Sequence, residues 1–272
     1  MKFSIITINY NHAEGLERTI KSVISQTCKD YEYIVIDGGS TDGSKDVILK
    51  YQEHISYWVS EPDGGIYNAM NKGIIQAKGE YCLFMNSGDC IYNDNVLQEC
   101  ASKMTSANIV CGDLCLQTGT ICPNPESVTL RSLYKKTLYH QASFIGTRLL
   151  KQSPYDETLR SAADWKWFYE QLIFQNRTYQ HIPVTVALFE GGGISDSSND
   201  VGKREVEATL SSTLPPRVIE DMEDYCFGNS PYRVMMNNVE KSSSLMKYIF
   251  ITNKSFLKAI NIILKAKWIS SL

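Results

Sequence analysis

The chain has 272 residues, 43% of them hydrophobic and 21% charged, and its formal net charge is −3. This length can bury a full core, as one large domain or as one domain with an appendage. The weak acidity argues against nucleic acid as a partner, because phosphate binding requires a clustered basic face. No apolar run approaches the roughly 20 residues of a membrane span, and the apolar start is too short for a signal peptide. We therefore expect a cytoplasmic protein.

The first hundred residues alternate between strand and helix patterns. Strands are predicted at 2–9, 31–37, 55–60, 80–85 and 108–113, and helices at 14–26, within 39–52, at 66–77 and at 93–104. Repeated units of this kind predict an α/β fold with a mostly parallel sheet and helices on both faces. Residues 113–140 show no clear periodicity. A helix is predicted at 163–174, a strand at 179–189 and helical structure from Val201 onward.

The eight cysteines form no C-x2-C pair. Cys111, Cys115 and Cys122 come nearest to a metal cluster, but no histidine lies close to them in the sequence. Without a secretory signal, we interpret the cysteines as reduced thiols that serve mainly in packing.

Polar residues follow four of the predicted strands. In parallel sheets, ligands bind beyond the carboxyl ends of the strands. The four loops, three of which carry an acid, are 9–11, 37–39, 60–63 and 86–89. Each loop alone is typical of a turn or a helix cap. Four strand ends with the same chemistry favour a binding site.

Two common nucleotide motifs are absent. Gly38 and Gly43 have the spacing of a P-loop, but Ser44 stands where its lysine is required. The loop after the first strand, "NYNHAEG", lacks the dinucleotide fingerprint G-x-G-x-x-G. A nucleotide site built on carboxylates remains. Such groups accept hydrogen bonds from a ribose or a base N–H, or bind a divalent metal that neutralises a diphosphate.

Six stretches in this order resemble the family 2 glycosyltransferases, which are inverting enzymes of the Rossmann-like GT-A fold. They are "SIITINYN", "QTCKDYEYIVIDGGSTDGS", "SEPDGGIYNAMNKGI", "NSGD", "YHQASFIG" and "DWKWF", and the resemblance covers roughly residues 3–195. It implies a nucleotide-sugar-binding half (1–112) and an acceptor-binding half of the same domain (113–200). The helical pattern beyond them predicts a helical C-terminal extension (201–272).

The "NSGD" segment resembles the acidic metal-binding motif of this family, usually written D-x-D. The resemblance implies that Asp89 ligates Mg2+ or Mn2+ beside the donor diphosphate. Ser87 stands where the first Asp is expected, so fewer protein charges would hold the metal. Mg2+ tolerates this because it keeps waters and takes ligands from substrate phosphates.

The resemblance also implies a donor pocket. Its residues are Thr7, Asn9, Tyr10, Asp37, Asp63, Lys72, Asn86 and Ser87. Asp37 is expected to contact the nucleoside, and Asp63 the base or ribose. Lys72 is expected to offer positive charge to the same cleft, although a lysine on a helix is commonly a solvated surface residue.

In the acceptor half, the resemblance implies that Asp164 is the general base that takes the proton of the acceptor hydroxyl. An acid at this point is also favoured by the helix dipole alone. Trp165 is either a platform for a sugar ring or a core residue. His140 and Gln141 are expected near the acceptor or the diphosphate, and a lone histidine is equally compatible with a structural role.

Residues 241–272 carry six lysines and no acid. Apolar residues fall near one face of a helix over this segment, and several lysines fall on another. The pattern is typical of a helix that lies on an anionic membrane surface, here the inner face of the cell membrane, or of a helix that packs on the domain. Peripheral membrane contact through 241–272 is therefore one expectation.

The resulting hypothesis is a metal-dependent, inverting hexosyltransferase of cell-surface polysaccharide biosynthesis. It would move a single sugar from a nucleotide-sugar donor, with a UDP-sugar expected, to a saccharide or a polyprenyl-linked acceptor. Processive synthases carry Q-x-x-R-W and membrane helices, whereas this chain has "QNRTY" at 175–179. The alternatives are a non-catalytic nucleotide-sugar-binding module and a sugar nucleotidyltransferase, whose glycine-rich loop after the first strand is missing.

Overall fold

The computed structural model describes residues 1–191 and 199–227. Within these ranges the strands are β1 Phe3–Asn9, β2 Tyr31–Asp37, β3 Tyr57–Ser60, β4 Tyr81–Phe84, β5 Cys90–Ile91, β6 Ile109–Leu116, β7 Ile121–Cys122, β8 Ser143–Gly146 and β9 Tyr179–Phe189. The helices are α1 Ala13–Ile24, α2 Ser44–Lys50, α3 Ile66–Gln76, α4 Val96–Lys103, α5 Leu130–Lys135, α6 Thr147–Gln152, α7 Ala163–Tyr169, α8 Asn199–Thr213 and α9 Pro216–Phe227. Short 3-10 turns span Gln52–His54 and His140–Ala142, and a π-helical turn, Glu170–Phe174, extends α7.

One sheet joins all these strands, in the order β3-β2-β1-β4-β8-β6-β9-β5, with β7 paired to β6. Strands β1, β2, β3, β4, β6 and β9 run in one direction, and β5, β7 and β8 run against them. The predicted α/β fold with a mostly parallel sheet is therefore confirmed.

Helices cover both faces of the sheet, as predicted. Ile5 and Ile6 are neighbours on β1, so their side chains point to opposite faces. Ile5 packs in the core cluster with Leu16 and Ile20 of α1. On the other face, a Cβ atom at Gly73 of α3 would lie 2.5 Å from Ile6. Glycine at this position therefore allows α3 to approach the sheet closely.

The sequence did not reveal the short elements between 113 and 152. The segment 113–140, expected to be irregular, contains the end of β6, then β7 and α5. Strand β8 was also missed, and it lies between β4 and β6, antiparallel to both. These elements have two to six residues apart from β6, which is too short for a helical or strand period to emerge.

The proposed division of the chain does not follow its elements. The boundary at 112/113 falls inside β6, and the boundary at 200/201 falls inside α8. The compact units are residues 1–214 and 215–272, and of the second the structure describes α9. The predicted membrane-binding segment 241–272 lies outside the described residues. No described helix combines the length and apolarity needed to cross a bilayer.

All eight cysteines lie in the described ranges, and none is in a disulfide. Six of the eight are buried, and Cys90 and Cys122 are partly buried. The burial agrees with the interpretation that they serve in packing.

Candidate active site

A cavity of about 700 Å³ opens at the carboxyl ends of the parallel strands. Three of these ends are level, because Asn9 pairs with Asp37 and Asp37 pairs with Ser60. The cavity is lined by Ile8, Asn9, Tyr10, His12, Gly38, Pro62, Asp63, Gly65, Ile66, Ala69, Asn86 and Ser87. Five of the predicted donor residues are among them: Asn9, Tyr10, Asp63, Asn86 and Ser87.

Asp37 lies behind the cavity wall, with a fully buried side chain. Its carboxylate accepts hydrogen bonds from the Ser40 hydroxyl (2.5 Å) and backbone (3.0 Å), from Ser60 Oγ (2.6 Å) and from Asn9 Nδ2 (2.7 Å). Burial raises the pKa of this carboxyl, but these donors outweigh burial and the net pKa is lowered. The expected contact with a nucleoside stays a prediction. Asp37 reaches the cavity wall through its hydrogen bond with Asn9, which lines the cavity.

Asn9 forms part of the cavity wall in one fixed orientation. Its Nδ2 donates to Asp37 and, at 3.2 Å, to Ser40 Oγ. Its Oδ1 has no hydrogen-bond partner among the described residues. Both hydrogens of the amide are used behind the cavity wall, and its Oδ1 is itself buried.

Two further predicted donor residues do not line the cavity. Thr7 is fully buried, and its hydroxyl shares a hydrogen bond of 2.9 Å with the Tyr33 hydroxyl. It lies on the face of β1 that carries Asn9, but one pleat further from the strand end. Lys72 does not line the cavity. Its ammonium group forms an ion pair of 2.7 Å with the Glu61 carboxylate.

The "NSGD" loop presents a buried carboxylate. Asp89 is only 4% exposed, and its Oδ1 accepts the backbone N–H of Glu190 at 3.0 Å. Burial raises the pKa of Asp89 to about 6, against the opposing effects of that N–H, of His140 and of the Gln141 side chain. Gly88 has a φ of 103°, and a Cβ atom there would overlap the Glu190 side chain. Glycine is therefore required at this turn.

The residues at the "NSGD" loop fit a divalent cation that takes few of its ligands from the protein. Asp89 supplies a single carboxylate, and the Ser87 hydroxyl donates to the backbone oxygen of Ile8 at 3.2 Å. Within the described ranges, no group of three or more His, Cys, Asp or Glu side chains converges on a common point. Oxygen chemistry with few protein ligands suits a cation whose other ligands are waters and phosphate oxygens.

Asp164 is in the first turn of α7 and is 9% exposed. Its Oδ1 accepts from the Tyr67 hydroxyl at 3.0 Å, and its Oδ2 is 3.2 Å from His140 Nδ1. His140 Nε2 is 3.2 Å from Asn86 Nδ2. Burial raises the pKa of Asp164, but the hydrogen bonds and charge of His140, together with Tyr67, lower it below its usual value. The carboxyl is therefore ionised at neutral pH.

The other two predicted acceptor-side residues have different positions. Gln141 is 7% exposed, and its side-chain hydrogen bond to Asp89 lowers the pKa of that carboxyl, against the effect of burial. Trp165 is 5% exposed, its Nε1 donates to the Leu133 backbone oxygen at 2.8 Å, and its ring stacks on Tyr169 at 5.1 Å. Of the two interpretations of Trp165, the core residue is the one that agrees with the structure.

Three residues of the site were not predicted. Tyr67 bonds Asp164, His12 lines the cavity, and Glu190 holds Asp89 through its backbone. Glu190 also bonds Arg18, and its Oε2 lies 3.6 Å from His12 Nε2. His12 and Glu190 each follow a predicted strand, so the position after a strand was the available signal. Nothing local marks Tyr67, because its partner is 97 residues away.

The mostly parallel sheet and the cavity at its strand ends are those of a glycosyltransferase of the GT-A type. The sequence profile described as glycosyl transferase family 2 matches residues 4–174, and the chain belongs to that family.

Curated relatives agree with this assignment. An uncharacterized glycosyltransferase of Mycobacterium tuberculosis is 36% identical over 170 residues, which cover 59% of this chain and 65% of the relative. The match thus spans slightly less than two thirds of that relative's length. A PGL/p-HBAD biosynthesis glycosyltransferase of Mycobacterium bovis is 30% identical over 209 residues, covering 73% of this chain and 80% of the relative.

Solved structures share the fold. Staphylococcus aureus TarS in complex with UDP-GlcNAc has a TM-score of 0.65 at 22% identity, covering 83% of this chain and 71% of that chain. The mannosyltransferase PcManGT from Pyrobaculum calidifontis, in complex with GDP-Man and Mn2+, has a TM-score of 0.61 at 15% identity, covering 94% and 80%.

Proposed function

We propose that the protein is an inverting glycosyltransferase that moves one sugar from a nucleotide-sugar donor, first of all a UDP-sugar, to a saccharide or lipid-linked saccharide of a cell-surface glycan. One observation carries the proposal. The hydrogen-bond chain Asn86–His140–Asp164 links the wall of the donor cavity to an ionised carboxylate. Donor and base are thereby brought next to each other, as direct transfer requires.

Asp164 is the proton acceptor in this mechanism. The oxygen of the acceptor hydroxyl attacks the anomeric carbon, and its proton passes to Asp164 as the bond to the nucleoside diphosphate breaks. Attack from the side opposite the leaving diphosphate inverts the anomeric configuration. Asp164 is ionised at neutral pH, as a proton acceptor must be.

The donor cavity offers contacts that suit a nucleotide. Tyr10 is 69% exposed, and its ring is available for stacking on a base. The Asp63 carboxylate lines the cavity and is an acceptor for N–H or hydroxyl groups. Uracil has such an N–H, and TarS of the same fold binds UDP-GlcNAc. A divalent cation on Asp89, Mg2+ or Mn2+, would neutralise the diphosphate.

A thermal-shift panel tests the proposal. Nucleoside diphosphates and nucleotide sugars are added to the wild-type chain and to Asp89→Ala, with and without Mn2+. Ligand binding raises Tm by mass action. We expect a metal-dependent shift with UDP or a UDP-sugar that Asp89→Ala abolishes. Asp164→Asn should keep this shift and lose sugar transfer.

The outcomes separate the alternatives. A shift without turnover of any donor in the wild-type chain would favour a non-catalytic nucleotide-sugar-binding module. A shift with guanosine nucleotides alone would refute the UDP-sugar. No shift with any nucleotide would overturn the transferase proposal as a whole.

A further inference from the structure

His140 bridges two parts of the site that are far apart in the sequence. It begins the 3-10 turn His140–Ala142 that leads into β8. One ring nitrogen faces Asn86 in the "NSGD" loop (86–89), here called the donor loop, and the other faces Asp164, each at 3.2 Å. The side chains of His140 and Asp164 are 15% and 12% exposed. The bridge is therefore largely shielded from water.

A carboxylate only accepts, so His140 Nδ1 carries a hydrogen and donates it to Asp164 Oδ2. The side-chain amide of Asn86 lies at the other ring nitrogen, Nε2, and its Oδ1 has no hydrogen-bond partner among the described residues. Asn86 is itself anchored in the donor loop, because its backbone oxygen accepts the N–H of Asp89 at 3.0 Å. The ring thus spans from the donor loop to the base.

We propose that His140 is a positioning residue that holds Asp164 oriented and ionised as the base and fixes Asn86 in the donor loop. The inference rests on the proposed role of Asp164. It differs from a contact of His140 with the acceptor or the diphosphate, because both ring nitrogens are already engaged within the protein. His140 acts through Asp164 and takes no proton from the substrate itself.

The surroundings of Asp164 indicate what the loss of His140 would do. Tyr67 on α3 and Tyr155 in the loop before α7 also face Asp164, and burial strongly raises the pKa of both phenols, so both stay neutral. The Trp165 backbone N–H bonds the carboxylate as well. Asp89 is the other charged group near His140. Without the His140 N–H, the donors left to oppose burial are Tyr67 and this N–H, so the pKa of Asp164 must rise.

Two variants of the full chain test the proposal. His140→Asn places an amide N–H near the position of Nδ1, whereas His140→Leu has a similar volume and no donor. The probe is the side-chain carboxyl carbon of 13C-labelled aspartate, with the Asp164 signal assigned by its loss in Asp164→Asn. This titration does not depend on any substrate.

We expect Asp164 to stay ionised from pH 5 to 8 in the wild-type chain and in His140→Asn. In His140→Leu its pKa should move up by about two units or more. With UDP-GlcNAc or the donor selected by the thermal-shift panel, His140→Leu should lower kcat about tenfold or more. The acid limb of its pH profile should follow the titration, and His140→Asn should recover most of the rate.

A second His–Asp pair provides the control for a merely structural effect. His181 Nε2 is 2.8 Å from Asp113 Oδ1, with both side chains 15% exposed, on β9 and β6. His181→Leu should lower Tm to about the same extent as His140→Leu does, and it should leave the Asp164 titration unchanged. An unmoved Asp164 pKa in folded His140→Leu would overturn the inference and leave the transferase proposal intact. Absence of any donor turnover by the wild-type chain would overturn the proposed function, and the catalytic role of the bridge with it.

Discussion

Two buried aspartates in neighbouring loops show how the partners of a carboxylate decide its role. Asp37 has donors from Ser40, Ser60 and Asn9, and its pKa is lowered. Asp89 has fewer donors for a similar burial, and its pKa is raised to about 6. The Asp37 carboxylate has enough hydrogen-bond donors within the protein to offset its burial, and the Asp89 carboxylate does not. We therefore expect Asp37 to stabilise the fold, and we expect Asp89 to be the carboxylate that an added cation would stabilise.

Asp37→Asn should lower the free energy of unfolding at pH 7 by about 2–4 kcal/mol, because several buried donors then lose a charged acceptor. The folded-state pKa of Asp37 lies below its unfolded value of 3.8. This stabilisation is therefore complete above that value and is lost as pH falls through the folded pKa. Urea denaturation between pH 3 and 7 measures the difference.

Asp63→Asn is the matched control for Asp37→Asn. Asp63 lines the cavity, is partly exposed and accepts the Gly65 backbone N–H at 2.8 Å. Its loss should weaken the nucleotide-induced thermal shift and change stability by less than about 1 kcal/mol. Equal stability losses in the two variants would contradict the distinction drawn between them.

Asp89→Asn should stabilise the protein in the absence of divalent cations. The folded pKa of about 6 lies above the ordinary value of 3.8, so the folded state binds more protons between these values. The free energy of unfolding of the wild-type chain should fall by up to about 3 kcal/mol as pH rises from about 4 to 6. Above pH 6, this contribution should stay constant. Asn avoids this loss, so the variant should be more stable above pH 6 and equal below pH 4. A variant less stable than wild type at pH 7 in EDTA would refute this.

At the scale of elements, α3 fastens the donor side of the site to the acceptor side. Tyr67 reaches Asp164, and Asn71 exchanges two hydrogen bonds with the backbone of Tyr155, at 2.9 and 3.0 Å. Asn68 and Asn71 also hold the two oxygens of Glu157. The helix thus determines where the segment before α7, and with it Asp164, is placed.

Asn71→Ala should lower the free energy of unfolding by about 2–3 kcal/mol, since it leaves the buried backbone N–H and C=O of Tyr155 without partners. Amide hydrogen exchange at Tyr155 should accelerate. Asn68→Ala removes one bond to the same glutamate at a more exposed position, so it should cost less than about 1 kcal/mol. Equal protection of Tyr155 in both variants would contradict the proposed role of α3.

The sequence predicted those parts of the site that depend on local order. Asn9, Tyr10, Asp63, Asn86 and Ser87 line the cavity because each follows a strand, and a strand end is visible as a change from apolar to polar residues. The same signal cannot show whether a side chain is already bonded. Thr7, Asp37 and Lys72 do not line the cavity, and their side chains bond Tyr33, Ser40 and Glu61, which the local pattern could not show.

The fold was predictable to the same degree. The β1–β4 half has regular strand and helix patterns, and its elements were found with shifts of a few residues at their ends. Strand β8 has four residues and pairs with strands about 30 and 60 positions earlier, so its place depends on tertiary contacts that a local pattern does not contain.

At the scale of the molecule, the candidate site belongs to one compact unit, residues 1–214. Every residue of the cavity and of the Asn86–His140–Asp164 chain lies within it. A chain ending at residue 214 should therefore fold and give the same nucleotide-induced thermal shift as the full chain. Failure of the folded fragment to bind nucleotide would show that residues 215–272 contribute to the site.

Residues 241–272 remain a predicted membrane-binding segment. The lysines and apolar residues of this segment lead us to expect that the full chain co-sediments with vesicles containing anionic lipid, and less so at high salt. A chain ending at residue 240 should stay in the supernatant. Unchanged co-sedimentation of this shorter chain would rule out the segment as the membrane contact.

The place of β8 in the sheet constrains how such a protein can be recombined with its relatives. A late strand is inserted between β4 and β6, and β6 itself runs across residue 112. A crossover at residue 112 would take β4 from one parent and β8, which pairs with it, from the other parent. It would also divide β6 between the two parents. Chimeras meant to exchange acceptor specificity should therefore keep β4, β6, β8 and β9 from one parent and graft only loops. The two predicted halves share one sheet, so an exchange between homologues must keep neighbouring strands together whatever their order in the chain.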